Sequence, residues 1–262
     1  MLKRLLMVIS AIAAIAFAAA PQARADKFEE ILKNGVVRIG VPVDVPPFGT
    51  VNANRQAEGF DVDLANMVAK ALGVKLETQQ ITGANRIPFL LTDKIDIVIA
   101  IMGLTPERAK QITFTSPYVN FLLGVYGPKS AKVTSAAELG SLKVVAPRGT
   151  TQELGLTGMN PRANIMRVED DATSAAAYLS GQADLIATGN VVALELGKQN
   201  PNKEFDLKFV IRLSPGHMGV RMGEHNLARW LDSFIFFNTV NGELDKLHQK
   251  WLGAAMQPMP SL

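Results

Sequence analysis

The chain of 262 residues contains no cysteine, only three histidines and few aromatic residues, 6% in all. Without cysteine there is no disulfide framework, no thiolate chemistry and no acceptor for a lipoprotein anchor. His217, His225 and His248 are scattered, with no H-E-x-x-H or i,i+4 pair, so no metal site is expected. A charge excess is missing too, once the chain is divided. The first 25 residues hold Lys3, Arg4 and Arg24 and no acid, which leaves 24 basic and 24 acidic residues in the remainder. That neutrality excludes the clustered basic surface a nucleic acid would require. Gly127-Pro128-Lys129-Ser130 lacks the upstream glycine spacing of a phosphate loop and reads as an ordinary loop. No cofactor is expected.

Residues 1–25 run from a basic start through an apolar stretch, Leu5 to Ala20, broken only by Ser10, and end in Ala23-Arg24-Ala25. This is the order of a secretory signal peptide with cleavage after Ala25. The apolar stretch is about 16 residues, short of the roughly 20 that span a bilayer. No later run reaches 18 apolar residues, so the mature chain is expected to be soluble and exported.

Beyond residue 25, strand and helix patterns alternate. Val36–Val41 is β-branched and ends at proline. Asp61–Leu72 sets Leu64, Met67, Val68, Ala71 and Leu72 on one helical face, with Gly73 as a stop. Val74–Thr78 and the nearly all-apolar run Ile95–Ile101 read as strands, the latter suited to burial on both faces. A second cycle follows Gly127-Pro128: capping boxes at Ser135–Glu138 and Thr150–Glu153, strands at Leu142–Ala146, Ala183–Ala187 and Phe209–Leu213, and a helix at Asp171–Leu179. Two amphipathic helices, Leu227–Asn238 and Glu243–Trp251, close the chain, and Trp230, Phe234, Phe237, Leu244, Leu247 and Trp251 are expected in the core. The alternation predicts an α/β fold, and two cycles suggest two lobes.

Several segments resemble the amino-acid-type solute-binding proteins of ABC importers, solute-binding protein family 3. They are Glu58-Gly-Phe-Asp-Val-Asp-Leu64, Lys70-Ala-Leu-Gly-Val74, Asn85-Arg-Ile-Pro88, Lys94-Ile-Asp-Ile-Val98, Leu104-Thr-Pro-Glu-Arg-Ala109, Phe114-Thr-Ser-Pro-Tyr118, Gly149-Thr-Thr-Gln152 and Gly181-Gln-Ala-Asp184. The resemblance implies a two-lobed, periplasmic-binding-protein-like (type II) α/β fold with two hinge strands. Lobe one would comprise 26–120 and 220–262, and lobe two 121–219, with crossings near Phe121–Gly127 and His217–Met222. It further implies a monomer in the periplasm that carries an amino acid or related carboxylate to an inner-membrane ABC permease.

Within that resemblance Arg108 is the central site residue. Thr105 and Pro106 read as N-cap and N1 of a helix, which places a cation at N3, facing the positive end of the helix dipole. A bound anion offsets that placement, and the family uses this Arg to hold the ligand's α-carboxylate. Ala100 and Gly103 stand where relatives often carry hydroxyls, so only their backbone groups can serve. Thr150 reads equally as a plain N-cap or a ligand contact, while Thr151 matches the family's carboxylate-contacting position. Arg148 either points into the cleft, where it would favour a second acidic group, or outward as a solvated charge. The ammonium-binding aspartate of the family falls on Gly189, which carries no charge. Neighbouring Asn190 offers a carbonyl, and Glu169, Asp170 or Asp44 are the alternative acids. Val45 and Gly83 replace aromatics that commonly stack on the ligand. Arg86, in Asn85-Arg-Ile-Pro88, matches the acidic-amino-acid subset and with Arg148 inclines the reading toward a small acidic ligand.

Two other readings compete. Cyclohexadienyl (arogenate/prephenate) dehydratases resemble this scaffold, and their chemistry needs a general acid in the cleft, for which Glu169 and Glu195 are the candidates. A ligand-presenting partner of a chemoreceptor or sensor kinase would use the same closed form.

Overall fold

The computed structural model describes residues 26–260. The expected signal peptide and its cleavage site lie outside them. Asp26 caps α1 (Lys27–Asn34) by accepting the Phe28 N–H at 2.9 Å, and Gly35 ends it at φ 68°. There follow β1 (Val36–Val41), a small hairpin of β2 (Thr50–Val51) and β3 (Ala57–Glu58), α2 (Phe60–Leu72), β4 (Lys75–Gln80), α3 (Arg86–Leu91), β5 (Ile97–Gly103), α4 (Pro106–Ala109) and β6 (Ile112–Gly127). A 3₁₀ turn at Ala136–Leu139 precedes β7 (Val144–Pro147), α5 (Thr151–Met159), β8 (Ile165–Val168), α6 (Asp171–Leu179), β9 (Leu185–Gly189), α7 (Asn190–Gln199) and β10 (Asp206–Arg221). The chain closes with α8 (His225–Val240) and α9 (Glu243–Leu252). Among the described residues no helix is long and apolar enough to cross a membrane.

The strands form one mixed sheet in the order β4-β1-β5-β10-β6-β9-β7-β8. β6 and β10, each 16 residues long, pair antiparallel along their whole length, from Asp206↔Gly127 to Arg221↔Ile112. At one end β10 pairs with β5, and at the other β6 pairs with β9. The two strands therefore run through both halves of the sheet. Outside them each half is parallel: β4-β1-β5 in one, β9-β7-β8 in the other. The strands next to the middle are the apolar ones, as burial on both faces demands. Every residue of β7 and β9 is buried, and in β5 all but Ile101.

The returning helices rejoin the first half. On α9, Lys250 Nζ and Trp251 Nε1 donate to Asp63 of α2 at 2.6 and 2.7 Å. Buried His248 meets the Tyr118 carbonyl at 3.0 Å. Leu244, Leu247 and Phe234 are buried and Trp230 stacks on Phe234, but Phe237 is 65% exposed. The helical face carrying Phe237 looks away from the sheet, which a spacing argument on one helix does not reveal. The Ser135 capping box also differs from expectation. Ser135 makes no cap bond, and Glu138 instead takes the N–H and hydroxyl of Thr134 at 2.9 and 3.0 Å.

A cluster of charges lies beside α1. Lys27 Nζ reaches Glu30 at 2.8 Å, Asp93 at 3.1 Å and Asp96 at 3.7 Å. Arg38 binds Asp96 through Nε at 3.2 Å and through its backbone N–H at 2.8 Å. Arg221 pairs with Glu224 at 2.8 Å, and Glu224 also accepts the Lys27 N–H at 2.8 Å.

Candidate functional site

A cavity of about 50 Å³ lies on the seam between the two halves. The loop after β1 contributes Asp44 and Val45, α3 contributes Arg86, and β5 contributes Ala100 and Ile101. From across the seam come Thr150, Thr151 and Gln152 at the start of α5, Asp171 at the start of α6, and Thr188, Gly189 and Val192 around the β9–α7 junction. Phe121 and Leu123 of β6 form the floor between them.

Two buried arginines approach the seam. Arg108 sits where the capping motif predicts, with Thr105 Oγ1 accepting its backbone N–H at 3.2 Å. Its guanidinium spans the seam: Nη1 donates to the Gly103 carbonyl at 2.6 Å and to Thr151 Oγ1 at 2.9 Å, and Nη2 donates to the Gly149 carbonyl at 2.8 Å. Arg86, 6% exposed, lines the cavity, where Nη1 donates to the Ala100 carbonyl at 3.2 Å and Nε has no partner. Among the described residues neither guanidinium forms an ion pair. Burial, then the charges of Arg86 and Arg212, pulls Arg108 down to about 9, and burial pulls Arg86 down to about 10 against the opposing charge of Asp171. Both remain protonated at neutral pH.

Two acids share the cavity. Asp44 Oδ2 accepts the N–H groups of Asp171 at 2.9 Å and Ala172 at 3.4 Å, so a residue of the first half caps a helix of the second. Burial raises its pKa, and the bonds from Asp171 and Ala172 oppose the rise. Asp171 lies at the first position of α6; burial, then the nearby Asp44 charge, pushes it up to about 7, with Arg86 opposing.

The remaining predicted residues divide. Val45, Ala100, Thr150, Thr151, Arg86 and Gly189 line the cavity. The Thr150 hydroxyl is occupied as a cap, donating to the Pro147 carbonyl at 2.7 Å and accepting the Glu153 N–H at 3.3 Å. Gly103 lies behind the wall, where an added Cβ would stand 2.6 Å from Ser214 Oγ and 2.7 Å from Thr151 Oγ1. Arg148 is exposed and outside the cavity, as is Glu169. Asn190 is exposed, its Oδ1 accepting the Leu122 N–H of β6 at 3.0 Å. Glu195 pairs with Lys198 and Gln199 on the surface of α7.

Gly83 explains one departure from the family pattern. It abuts the Gly149–Thr150 turn so closely that a Cβ would fall 2.6 Å from Thr150 Cγ2 and 2.7 Å from the Arg148 carbonyl oxygen. An aromatic there has no room in this arrangement. The ring in the cavity wall is instead Phe121, packed on Phe48 with centroids 5.9 Å apart. Sequence reasoning missed Phe121, Asp171 and Ile101. Ile101 adopts φ 40°, a strained value for a β-branched residue that costs on the order of 1–3 kcal/mol. Its N–H is held by Tyr118 Oη at 2.8 Å, which in turn donates to Asp61 at 2.8 Å. Burial pushes fully buried Asp61 up to about 8. Asp61 and Tyr118 both fall in motifs that carried the resemblance, which was the available signal.

Two α/β halves threaded by a shared pair of strands, with a cavity on the seam, define the two-lobed small-molecule-binding proteins. The chain belongs to the bacterial extracellular solute-binding proteins, family 3, whose profile matches residues 37–254. It is 29% identical over 239 residues to the ABC transporter glutamine-binding protein GlnH of Bacillus subtilis (strain 168), covering 89% of this chain and 87% of that one. The structure of the solute receptor for L-cysteine of Neisseria gonorrhoeae aligns with a TM-score of 0.82 at 31% identity, over 86% of this chain and 93% of that one. A cyclohexadienyl dehydratase of Pseudomonas aeruginosa is 25% identical over 258 residues, 93% of each chain.

Proposed function

We propose that this protein captures an amino acid in the seam cavity and delivers it to an ABC permease, acting as a periplasmic monomer once residues 1–25 are removed. The lobes in this reading are 26–120 with 220–262, and 121–219. The observation that carries it is a pair of buried guanidinium groups without carboxylate partners: Arg86 in the cavity lining, and Arg108 outside the lining but bonded to the lining residue Thr151. A ligand carboxylate is the acceptor such groups require, since buried cations are costly until paired. In this reading it draws Arg108 away from the Gly149 carbonyl and keeps Thr151 as a further donor.

Arg148 supplies none of the cavity's charge, and Arg86 faces Asp44 and Asp171. The charge balance therefore suits an amino acid with a neutral side chain better than a dicarboxylate. A thermal-shift screen of the L-amino acids tests this. A true ligand at about 100 times its Kd should raise Tm by roughly 5–10 °C, and no shift with any amino acid rejects the reading.

One observation favours a second reading. Asp171, held near 7 inside the cavity, has the acidity of a general acid. Formation of phenylpyruvate from prephenate by the purified protein would support a dehydratase, with Asp171 in place of Glu169 or Glu195.

A further inference from the structure

We propose that Asp171 is the carboxylate that receives the α-ammonium of the bound amino acid, at the start of α6 and not at the end of β9. The inference rests on the amino-acid reading above and adds where the ligand's positive end lies.

At the end of β9 the wall carries no charge. A Cβ on Gly189 would stand 3.2 Å from Phe121 Cδ2 and 3.8 Å from Val192 Cγ2, and Leu123 is also part of the lining. An ammonium there would be buried without a counter-charge, which is prohibitive. The acids near the start of α6 differ in how far they are committed. Asp170 caps the helix, its Oδ1 accepting the Thr173 N–H at 2.7 Å. Glu169 is exposed and outside the cavity. Asp44 lines the cavity but holds the N–H groups of Asp171 and Ala172. The Asp171 carboxylate also lines it, and among the described residues it forms no ion pair and accepts no hydrogen bond.

Arg86 supplies the independent observation. It is 6% exposed, lines the same cavity and leaves Nε without a partner, yet forms no direct ion pair with Asp171. Arg86, with a buried Nε that has no partner, and Asp171, whose carboxylate accepts no hydrogen bond among the described residues, are of opposite sign and not paired with each other, which is what a zwitterion placed between them completes. The first turn of α6 favours an anion at Asp171 through the helix dipole. Asp44 beside it adds negative charge to the same end of the cavity.

The test compares each L-amino acid that shifts the wild-type Tm with the corresponding 2-hydroxy acid, by calorimetric titration of wild type and Asp171→Asn. The 2-hydroxy acid keeps the carboxylate and side chain and loses only the ammonium. Wild type should prefer the amino acid by roughly 100-fold or more, the scale of a truncated buried charge pair, and Asp171→Asn should reduce that preference to within about tenfold. The ratio is internal to each protein, so a general loss of affinity or fold does not imitate the result. An undiminished preference in Asp171→Asn overturns the proposal while leaving the amino-acid reading intact. Binding of no amino acid by wild type overturns both.

Discussion

Two regions of this molecule bury charge, and they do so in opposite ways. Beside α1, Lys27, Arg38 and Arg221 are matched by Glu30, Asp93, Asp96 and Glu224, each cation within 4.0 Å of at least one carboxylate. At the seam, buried Arg86 and Arg108 and part-buried Asp171 are left without ionic partners. The first arrangement is complete within the chain and fixes α1 against β1 and the end of β10. The second is complete only when something from outside supplies the missing charges. Unpaired burial is thus the better marker of function, because a structural cluster has no reason to tolerate it.

The largest test of this contrast is Asp96→Ala. Asp96 is buried and binds Arg38 through side chain and backbone, so its loss leaves the Arg38 N–H and Nε without their acceptor and should cost about 3–5 kcal/mol of unfolding free energy. Urea unfolding measures the cost, and amino-acid affinity below the melting range should stay at the wild-type value. Next is Arg108→Ala, expected to weaken amino-acid binding by roughly 100-fold, about 3 kcal/mol, in calorimetric titration; unchanged affinity would remove Arg108 from the site. Smaller again is Arg86→Met. Here the removed cation has no ionic partner, so stability should hold or rise by about 1 kcal/mol, while affinity falls about tenfold. A large destabilisation would show that Arg86 belongs with the structural cluster after all.

A pH signature at Asp61 tests buried charge by titration and not by affinity. Its folded pKa, pushed up to about 8 from an ordinary 3.8, means that the protonated form favours folding. That contribution is fully present below about 4 and is lost as pH rises through about 8. Asp61→Asn removes the titration and can keep an acceptor for Tyr118. Its stability relative to wild type should therefore improve steadily from pH 4 to 8 and level off above, in thermal melts across that range.

Local signals carried much of this fold. β1 and α6 have the bounds their patterns predict, Val36–Val41 and Asp171–Leu179, because proline, glycine and capping acids mark their ends. α7 was not seen, since Gly189 gives it no side-chain cap. Nor was the length of β6 or β10 legible: Pro117 and Gly124 interrupt the first, and only pairing between residues about 100 apart makes either continuous. The candidate site divides along the same line. Arg108 and Thr151 were legible because each sits in the first turn of a helix with a readable threonine cap. Phe121 and Asp171 reach the cavity through the crossing of distant segments, and nothing beside them in the chain announces it. Arg148 reads like a site residue from its neighbours, yet the turn that presents Thr150 and Thr151 inward sends Arg148 outward.

The β6–β10 ribbon has a mechanical consequence. Its two strands pair from end to end, with register shifts at Leu207/Phe209, Val210/Arg212, Gly216/His217 and His217/Gly219. Sliding one strand along the other would break many ladder bonds at once, whereas bending the ribbon out of its plane breaks few. Each register shift is a place where the ladder is already interrupted and such a bend breaks fewest bonds. Relative movement of the halves is thereby reduced to nearly one coordinate, an angle, and a single distance between one spin label on each half should suffice to track it.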